Sequence, residues 1–286
     1  MSKILLSSDG TCDMTEELKE RYKVSCYPYH ILLEGEDYLD NVTIHPSEIF
    51  QAYYDRKVLP QTTAINTYEY VEYFENLFNE TGCDSIIHFN LGSALSSSYN
   101  NCKIAVQKVP NVYAIDSCNL STGTALLVIK AAEMIEQGLS AEEIVENINN
   151  MIDKVHSSFI LDTLKFIQAG GRCSSVAAIS ASMLQIKPQI IVDNKDGSMG
   201  MGKKYRGKFR KVLEKYVEDN LASYDDIDTS RIFITYSSLD DLSIVDDVKE
   251  AVEKSVKFDE VFVTTASSTV SCHCGPNCLG ILFMTK

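Results

Sequence analysis

The chain has 286 residues, of which 45% are hydrophobic and 23% are charged, and its formal net charge is −14 at pH 7. This composition is typical of a globular protein and excludes a chain that is disordered along its whole length. The negative charge argues against binding to nucleic acid or to anionic membrane surfaces. No apolar stretch approaches the roughly 20 residues that span a bilayer, so we expect no stable membrane insertion. The nine scattered cysteines, with no signal peptide before them, predict reduced thiols and a cytoplasmic location.

In the first half of the chain, short apolar runs alternate with amphipathic segments. The pattern predicts strands over 3–8, 24–33, 85–89 and 112–115, and helices over 46–56, 67–78, 96–107, 122–136 and 141–155, after a first helix that Asp13 or Thr15 caps. This alternation favours a mainly parallel sheet with helices on both faces. Polar segments rich in small hydroxyl residues follow three of the strands, at 9–13, 90–98 and 116–124. Because ligands bind outside the carboxyl ends of such strands, these segments are the first functional candidates.

The second half has a different pattern. Asn194-Lys195-Asp196-Gly197 is a strong turn signal between predicted strands at 188–192 and 199–204. A hairpin inside an alternating pattern predicts a mixed sheet, with the division near His156, and therefore domains at 1–155 and 156–286. The remaining predicted elements are strands at 159–162, 231–236, 260–264 and 279–284 and helices at 174–184 and 241–254, with one more helix before 231.

Two segments could contact an anion. The serines within 91–99 precede a predicted helix, whose free N–H groups attract negative charge, although one serine could simply cap the helix. Gly170-Gly171-Arg172 could bring the backbone close to a ligand while Arg172 grips a carboxylate. A helix end followed by a surface arginine is the alternative interpretation.

The segment 271–278 contains three cysteines and His273. Its C-H-C-x-x-x-C spacing lacks a second pair of ligands, and neighbouring side chains of an extended chain point apart, so we predict no metal site. No C-x-x-C redox motif is present. We expect His273 in a turn before the last strand. A serine nucleophile with His273 as its base is a possible acyl-transfer site, but no G-x-S-x-G elbow and no orienting acid support it.

Taken together, these motifs resemble the DegV family, which includes the fatty-acid-binding subunits of bacterial fatty acid kinase. The resemblance covers nearly the whole chain. It rests on S-D-G-T-C-D at 8–13, L-S-S-S-Y at 95–99, D-S at 116–117 with Gly123, the block 164–172 ending in G-G-R, I-K-P at 186–188, the hairpin with Gly197 and 203–207, and H-C-G-P at 273–276. The chain departs from the family pattern at 62–66, which reads T-T-A-I-N in place of T-S-Q-P-S, and at Ser97 and Ser98, which replace glycine and threonine.

The resemblance implies two α/β lobes, a three-layer lobe with a mainly parallel sheet and a two-layer lobe with a mixed sheet. It also implies that a long-chain fatty acid is bound in a buried apolar tunnel and is phosphorylated on its carboxylate by a separate kinase subunit. No cofactor and no catalytic residue in this chain are implied. Carried over by motif, the residues that hold the carboxylate are Thr62, Ser96, Ser97, His273 and Gly275, and Arg172 is adjacent to the ligand or faces the partner.

Elementary energetics agree with a carrier. Each buried CH₂ contributes about 0.8 kcal/mol, so an apolar tunnel binds an acyl chain tightly with few polar contacts. Neutral hydroxyl donors hold a carboxylate without the charge-assisted bonds of an arginine clamp, and so leave its oxygen reactive. Predicted wall residues are Leu161, Leu164, Ile167, Ile179, Leu184 and Ile190. The basic run from Lys203 to Lys211 leaves a third hypothesis open, a regulatory interaction module with an incidental lipid.

Overall fold

Residues 2–173 and 186–286, the part of the chain that this computed structural model describes, form three β-sheets and ten α-helices. The strands are β1 (Ile4–Asp9), β2 (Val24–Tyr27), β3 (His30–Leu33), β4 (Glu36–Leu39), β5 (Gln61–Thr63), β6 (Ser85–Asn90), β7 (Val112–Asp116), β8 (Val155–Leu161), β9 (Ile186–Val192), β10 (Met199–Arg206), β11 (Ile227–Tyr236), β12 (Glu260–Thr265) and β13 (Cys278–Thr285). The helices are α1 (Glu16–Tyr22), α2 (Pro46–Arg56), α3 (Thr67–Thr81), α4 (Ser98–Ala105), α5 (Thr122–Glu136), α6 (Ala141–Asn149), α7 (Lys165–Gly170), α8 (Phe209–Leu221), α9 (Ile244–Ser255) and α10 (Ser268–Cys274). Short 3₁₀ turns cover Gly10–Cys12 and Ile152–Lys154.

The sheets differ in strand direction. Four parallel strands form the first sheet, in the order β2-β1-β6-β7. The second has six strands in the order β10-β9-β8-β13-β11-β12, in which only the β11–β12 pair is parallel. A small antiparallel sheet, β4-β3-β5, completes the fold. The predicted α/β class with one parallel and one mixed sheet is therefore confirmed.

Helices cover both faces of the parallel sheet. Ile87 and Phe89 point towards α5 and α6, whereas Ile86 and Val112 pack against α3 and α4. The mixed sheet packs against α8 and α9 on one face. Every strand of the parallel sheet comes before residue 117 and every strand of the mixed sheet begins at or after Val155. The domain division at residue 155 itself stays a prediction.

Helix α5 lies between the two larger sheets. Eleven of its 15 residues are buried, including Leu126, Leu127, Val128 and Ile129 in succession. The same core contains Leu6 and Phe89 from the parallel sheet side, and Phe233, Leu282 and Met284 from the mixed sheet. A helix that is apolar on every side has to be buried on every side, which explains why this segment lies at the centre of the molecule.

Several predicted elements differ from the structure. The predicted strand 24–33 is two strands in different sheets, β2 and β3, because Pro28 lies between them and has no backbone N–H for a ladder. The predicted helix 141–155 ends at Asn149, and β8 begins at Val155. The sequence did not reveal β5 or α7, which are only three and six residues long. The predicted helix 174–184 lies outside the described residues.

Removing core volume from α5 should destabilise the whole protein. Leu127 is fully buried, so Leu127→Ala should lower the free energy of unfolding by about 2–5 kcal/mol through lost burial and the cavity left behind. Leu242→Ala is the matched control, because Leu242 is 62% exposed and its truncation should cost less than about 0.5 kcal/mol. Urea denaturation of both variants measures the difference, and equal losses would contradict a central role for α5.

Candidate ligand-binding site

A cavity of about 230 Å³ lies between the two larger sheets. Its wall includes Leu91 and Leu95, which follow β6 of the parallel sheet, and Phe159 and Leu282 from the mixed sheet. Polar side chains line other parts of the wall, and most of them carry hydroxyl groups. These are Thr11, Tyr29, Thr62, Thr63, Ser96, Ser97, Ser121, Thr235, Tyr236, Ser237 and Thr269, with His273 and Arg172.

Five of the six predicted site residues line this cavity. Thr62 is on β5, Ser96 and Ser97 precede α4, Arg172 follows α7, and His273 is on α10. The structure therefore brings together side chains that are up to 211 residues apart in sequence. The prediction that His273 lies in a turn is wrong, because residues 268–274 form a helix that Ser267 caps by accepting from Val270 N.

Gly275 is not among the cavity-lining residues. It ends α10 with φ +75°, a conformation that favours glycine, and any side chain there would collide with the Phe166 ring. Its carbonyl accepts a hydrogen bond of 2.5 Å from Ser237 Oγ. In the structure Gly275 thus shapes the turn behind His273.

Of the predicted wall residues, Ile167 lines the cavity. Leu161 and Ile190 belong to the same hydrophobic cluster as Ile167, and Leu164 packs against that cluster. Ile179 and Leu184 lie outside the described residues. The further apolar lining of Leu120, Phe159 and Val270 had no sequence signal beyond ordinary core composition.

Thr62 and His273 form the central polar contact. Thr62 Oγ1 and His273 Nε2 are 2.8 Å apart, and either atom could donate. Nδ1 of the same ring has no hydrogen-bond partner among the described residues, and a side chain at Gly170 would collide with it. Burial, with the nearby Arg172 cation, lowers the pKa of His273 to about 4. The imidazole is therefore neutral at pH 7.

Ser96 belongs to a chain of hydroxyl groups. Its Oγ lies 3.0 Å from Ser98 Oγ and accepts from Ser98 N at 3.2 Å. Tyr29 Oη lies 3.5 Å from Ser96 Oγ and 3.4 Å from Asp9 Oδ2. Ser96 thus accepts from the first N–H of α4 and also lines the cavity, whereas Ser97, the N-cap residue, makes no side-chain capping bond.

Buried aspartates hold the segments that carry these groups. Asp13 accepts from Ser267 N at 2.8 Å and from Ser121 Oγ, and Asp40 accepts from Ser268 N at 2.8 Å. Both carboxylates thereby bind the start of α10, the helix that carries His273. Asp9 accepts from Leu91 N at 2.7 Å and so fixes the loop that leads to Ser96.

Burial also perturbs these carboxylates. It raises the pKa of Asp9 to about 6 and that of Asp13 to about 7. Sequence reasoning noted Asp9 and Asp13 within a motif, and Asp13 also as a candidate cap of α1, a position that Thr15 occupies in the structure. Their contacts, with residues up to 254 positions away, could not be read from local pattern, because the partners Ser267 and Leu91 lie in other elements.

Arg172 lies at the mouth of the cavity and is exposed. Its Nε donates to Leu95 O at 3.4 Å, and its Nη1 donates to Gly170 O at 2.5 Å. Within the part of the chain that the structure describes, no carboxylate forms a salt bridge with Arg172. Its charge is therefore not balanced by a carboxylate of the described residues, and it acts on the buried His273.

A family model described as "Uncharacterised protein, DegV family" matches residues 3–286. The chain belongs to the DegV family. A DegV domain-containing protein of Caldanaerobacter subterraneus subsp. tengcongensis is 28% identical over 288 residues, covering 100% of both chains.

Solved DegV structures share the fold. A DegV family protein from Thermus thermophilus, described by its fatty acid binding, is 24% identical with a TM-score of 0.88, over 99% of this chain and 100% of that one. A stearic-acid-binding protein from Eubacterium ventriosum is 26% identical with a TM-score of 0.81, over 100% of this chain and 99% of that one. These likenesses extend over the complete α/β architecture.

Two features of other classes of protein are absent from the described residues. None of the helices in 2–173 and 186–286 has the length and apolar character needed to cross a membrane. Over the same residues, no group of three or more histidine, cysteine, aspartate or glutamate side chains could hold a metal ion.

The lowered pKa of His273 predicts a pH-dependent difference in stability. In the unfolded chain this imidazole titrates near 6.5, whereas in the folded protein its pKa is about 4. Between these values the unfolded chain binds more protons, so the contribution of His273 to stability is complete above 6.5 and is lost as the pH falls to 4.

Comparison with His273→Gln isolates this effect, since the other titrating groups are common to both proteins. The free energy of unfolding of the wild type, minus that of the variant, should decrease as the pH is lowered from 6.5 to 4. Urea denaturation at half-unit pH steps measures it. If the difference in the free energy of unfolding is constant over this range, the pKa of His273 is the same in the folded and the unfolded protein, which would contradict its burial.

Proposed function

We propose that the cavity binds one long-chain fatty acid and that the protein presents its carboxylate to a separate kinase subunit. The observation that carries this proposal is the composition of one cavity wall, on which hydroxyl groups and a neutral imidazole stand beside an extensive apolar surface. The stearic-acid-binding relative from Eubacterium ventriosum supports the same ligand class. The apolar part includes Leu91, Leu95, Leu120, Phe159, Ile167 and Leu282.

The carboxylate lies against Thr62, Ser96 and Ser97. If His273 carries its proton on Nε2, that N–H donates to Thr62 Oγ1 and the Thr62 hydroxyl hydrogen is free for the ligand. The unpartnered Nδ1 is then an acceptor, which costs less than a buried N–H with no acceptor. His273 thus orients Thr62 without carrying a charge.

Neutral donors suit a carrier whose ligand must react later. Hydrogen bonds from hydroxyl groups hold the carboxylate, and burial of each CH₂ adds about 0.8 kcal/mol to binding. A bidentate arginine would bind the anion through charge-assisted bonds and reduce the reactivity of its oxygen atoms. Arg172 lies at the mouth, where a partner subunit that delivers a phosphoryl group would meet both the cation and the carboxylate.

The geometry does not favour an acyl-transfer enzyme. His273 Nε2 bonds to Thr62, whereas Ser96 Oγ bonds to Ser98. No carboxylate of the described residues accepts from His273 Nδ1, and a pKa of about 4 makes the imidazole a weak base at neutral pH. We therefore propose that this chain performs no chemical step on its own.

The basic run does not favour the interaction module. Lys203 pairs with Asp219, Arg210 pairs with Asp241 and Asp247, and Lys211 pairs with Glu214. Half of the basic side chains at 203–211 therefore have acidic neighbours within the same protein. The surface formed by residues 203–211 is therefore partly neutralised. It is less suited to attract an acidic partner than a patch of unpaired basic side chains.

Mass spectrometry of an organic extract tests the proposal first. We expect the denatured, purified protein to release close to one equivalent of fatty acid, or to take up one equivalent when fatty acids are added. An empty extract together with no uptake of added fatty acid would overturn the proposed ligand.

Removing the two hydroxyl donors should weaken fatty acid binding. A hydrogen bond to a charged group contributes about 1.5–3 kcal/mol, so Thr62→Ala combined with Ser96→Ala should raise the dissociation constant roughly a hundredfold or more. The unfolding temperature should change by only a few degrees. Titration with a fluorescent fatty acid measures the affinity.

The control for this pair is Ser223→Ala with Thr229→Ala, which removes two exposed hydroxyl groups that do not line the cavity. It should bind like the wild type. Unchanged affinity in the Thr62 and Ser96 double variant would refute this position for the carboxylate.

A further inference from the structure

Cys12 and Cys26 are in direct contact, although the family motif assigns no role to either. Their Sγ atoms are 3.7 Å apart, a thiol–thiol hydrogen bond in which either atom could donate. Cys12 is in the 3₁₀ turn after β1, and Cys26 is on β2, which pairs in parallel with β1 so that Ser8 lies opposite Cys26. The two thiols therefore belong to separate elements, the turn that follows β1 and the neighbouring strand β2.

We propose that Cys12 and Cys26 form an oxidisable dithiol that closes to a disulfide when a hydroperoxide reaches it. A disulfide needs an S–S distance of about 2.05 Å, so the sulfur atoms have to approach by less than 2 Å from their present contact. Rotation of the two side chains, with a small movement of the short turn that carries Cys12, supplies such a shift.

The two thiols differ in access and in acidity. Cys12 is fully buried, whereas Cys26 is partly exposed, so a small oxidant approaches the pair from the side of Cys26. The Cys26 hydrogen bond lowers the pKa of the Cys12 thiol, and the same contact with burial raises that of Cys26. The positive charge of Lys19 acts on both sulfur atoms and favours thiolate.

The chemistry balances with hydrogen peroxide as the oxidant. Cys12, the more acidic thiol, reacts first: its sulfur takes one oxygen atom as the O–O bond breaks, the thiol proton leaves with the departing hydroxide as water, and a sulfenic acid remains. Cys26 sulfur then attacks Cys12 Sγ, the S–O bond breaks, and the departing hydroxide takes the Cys26 proton as a second water. Two thiols lose two electrons to one peroxide. A dithiol reductant reverses the change.

The position of this pair connects it to the cavity. Thr11, which precedes Cys12, lines the cavity, and Asp13, which follows it, binds the start of α10. Closure of the disulfide moves the turn that contains both residues. The oxidation state of the pair is therefore transmitted to the wall of the cavity.

The other close thiols are less suited to this reaction. Cys274 contacts Cys278, but both are buried in the cavity wall, and burial raises the pKa of Cys278 well above its usual value. The test separates the two pairs, because trypsin releases Cys12 in residues 4–19 and Cys26 in 24–56, whereas 258–286 contains Cys272, Cys274 and Cys278 together.

The experiment treats the folded, full-length protein with a small excess of hydrogen peroxide, alkylates the remaining thiols and digests it with trypsin. We expect a species that joins 4–19 to 24–56, with a mass two hydrogens below the sum of the peptides, and its loss after reduction. Cys118→Ser should still form the link, because Cys118 is also partly exposed but is not part of the pair.

Cys26→Ser should abolish the link, with Cys26→Ala as a second variant if the serine disturbs folding. A wild-type protein that shows no joined peptide, or oxidation only within 258–286, would overturn the proposal. This outcome is independent of fatty acid binding, because the readout is a covalent bond and not a ligand.

Discussion

Burial of α5 between two sheets is the constraint on which the rest of the structure depends. The first turn of this helix contacts both sides, since Thr124 Oγ1 donates at 3.1 Å to Ser117 Oγ, which directly follows β7 of the parallel sheet. A side chain at Gly123 would collide with Ser157 of β8, so only glycine allows the helix to approach the mixed sheet this closely. Thr122 Oγ1 lies 2.7 Å from Thr235 Oγ1 of β11, which fixes the same end of the helix laterally. The relative position of the two sheets is therefore set at the N-terminal end of α5, where the cavity begins.

The cavity depends on a second set of contacts, which cross between the early and late parts of the chain. A helix of only seven residues such as α10 has little stability of its own, because few of its backbone groups are paired internally. Asp13 and Asp40 satisfy N–H groups at its start and place negative charge at its positive end. The contact between His273 and Thr62 thus depends on the carboxylates of Asp13 and Asp40, which do not line the cavity. Their burial makes these bonds strong and also makes the carboxylates costly to ionise, which is why the pKa of Asp13 is raised.

Local sequence signals predicted local structure well. Pro46 marks the first residue of α2, and the largely apolar segment 122–136 has the bounds of α5. The Asn194-Lys195-Asp196-Gly197 turn joins β9 and β10 as expected. The elements that sequence reasoning missed depend on partners elsewhere. Strand β5 has only three residues and exists because Ile31 of β3 pairs with Thr62.

The residues of the candidate site also depend on partners that are distant in the sequence. Thr62 alone is a threonine in a polar loop, and only its resemblance to a family motif singled it out. Its partner His273 lies 211 residues away, a separation that no periodicity in the sequence can span. Asp13 and Asp40 act through contacts with backbone N–H groups, which every residue type except proline supplies, so no pattern at residues 267–268 could reveal them.

The charge distribution reconciles an acidic protein with an anionic ligand. The chain carries a net charge of −14, yet the polar part of the cavity presents hydroxyl groups, a neutral imidazole and the Arg172 cation. The nearby carboxylates of Asp9 and Asp13 accept hydrogen bonds from the protein itself, and their raised pKa values reduce the negative charge that they carry near neutral pH. Repulsion of a bound carboxylate is thus weakest inside the cavity and stronger over the acidic surface. An amphipathic anion therefore has two reasons to be buried there, since its chain leaves water and its head group leaves a repelling surface.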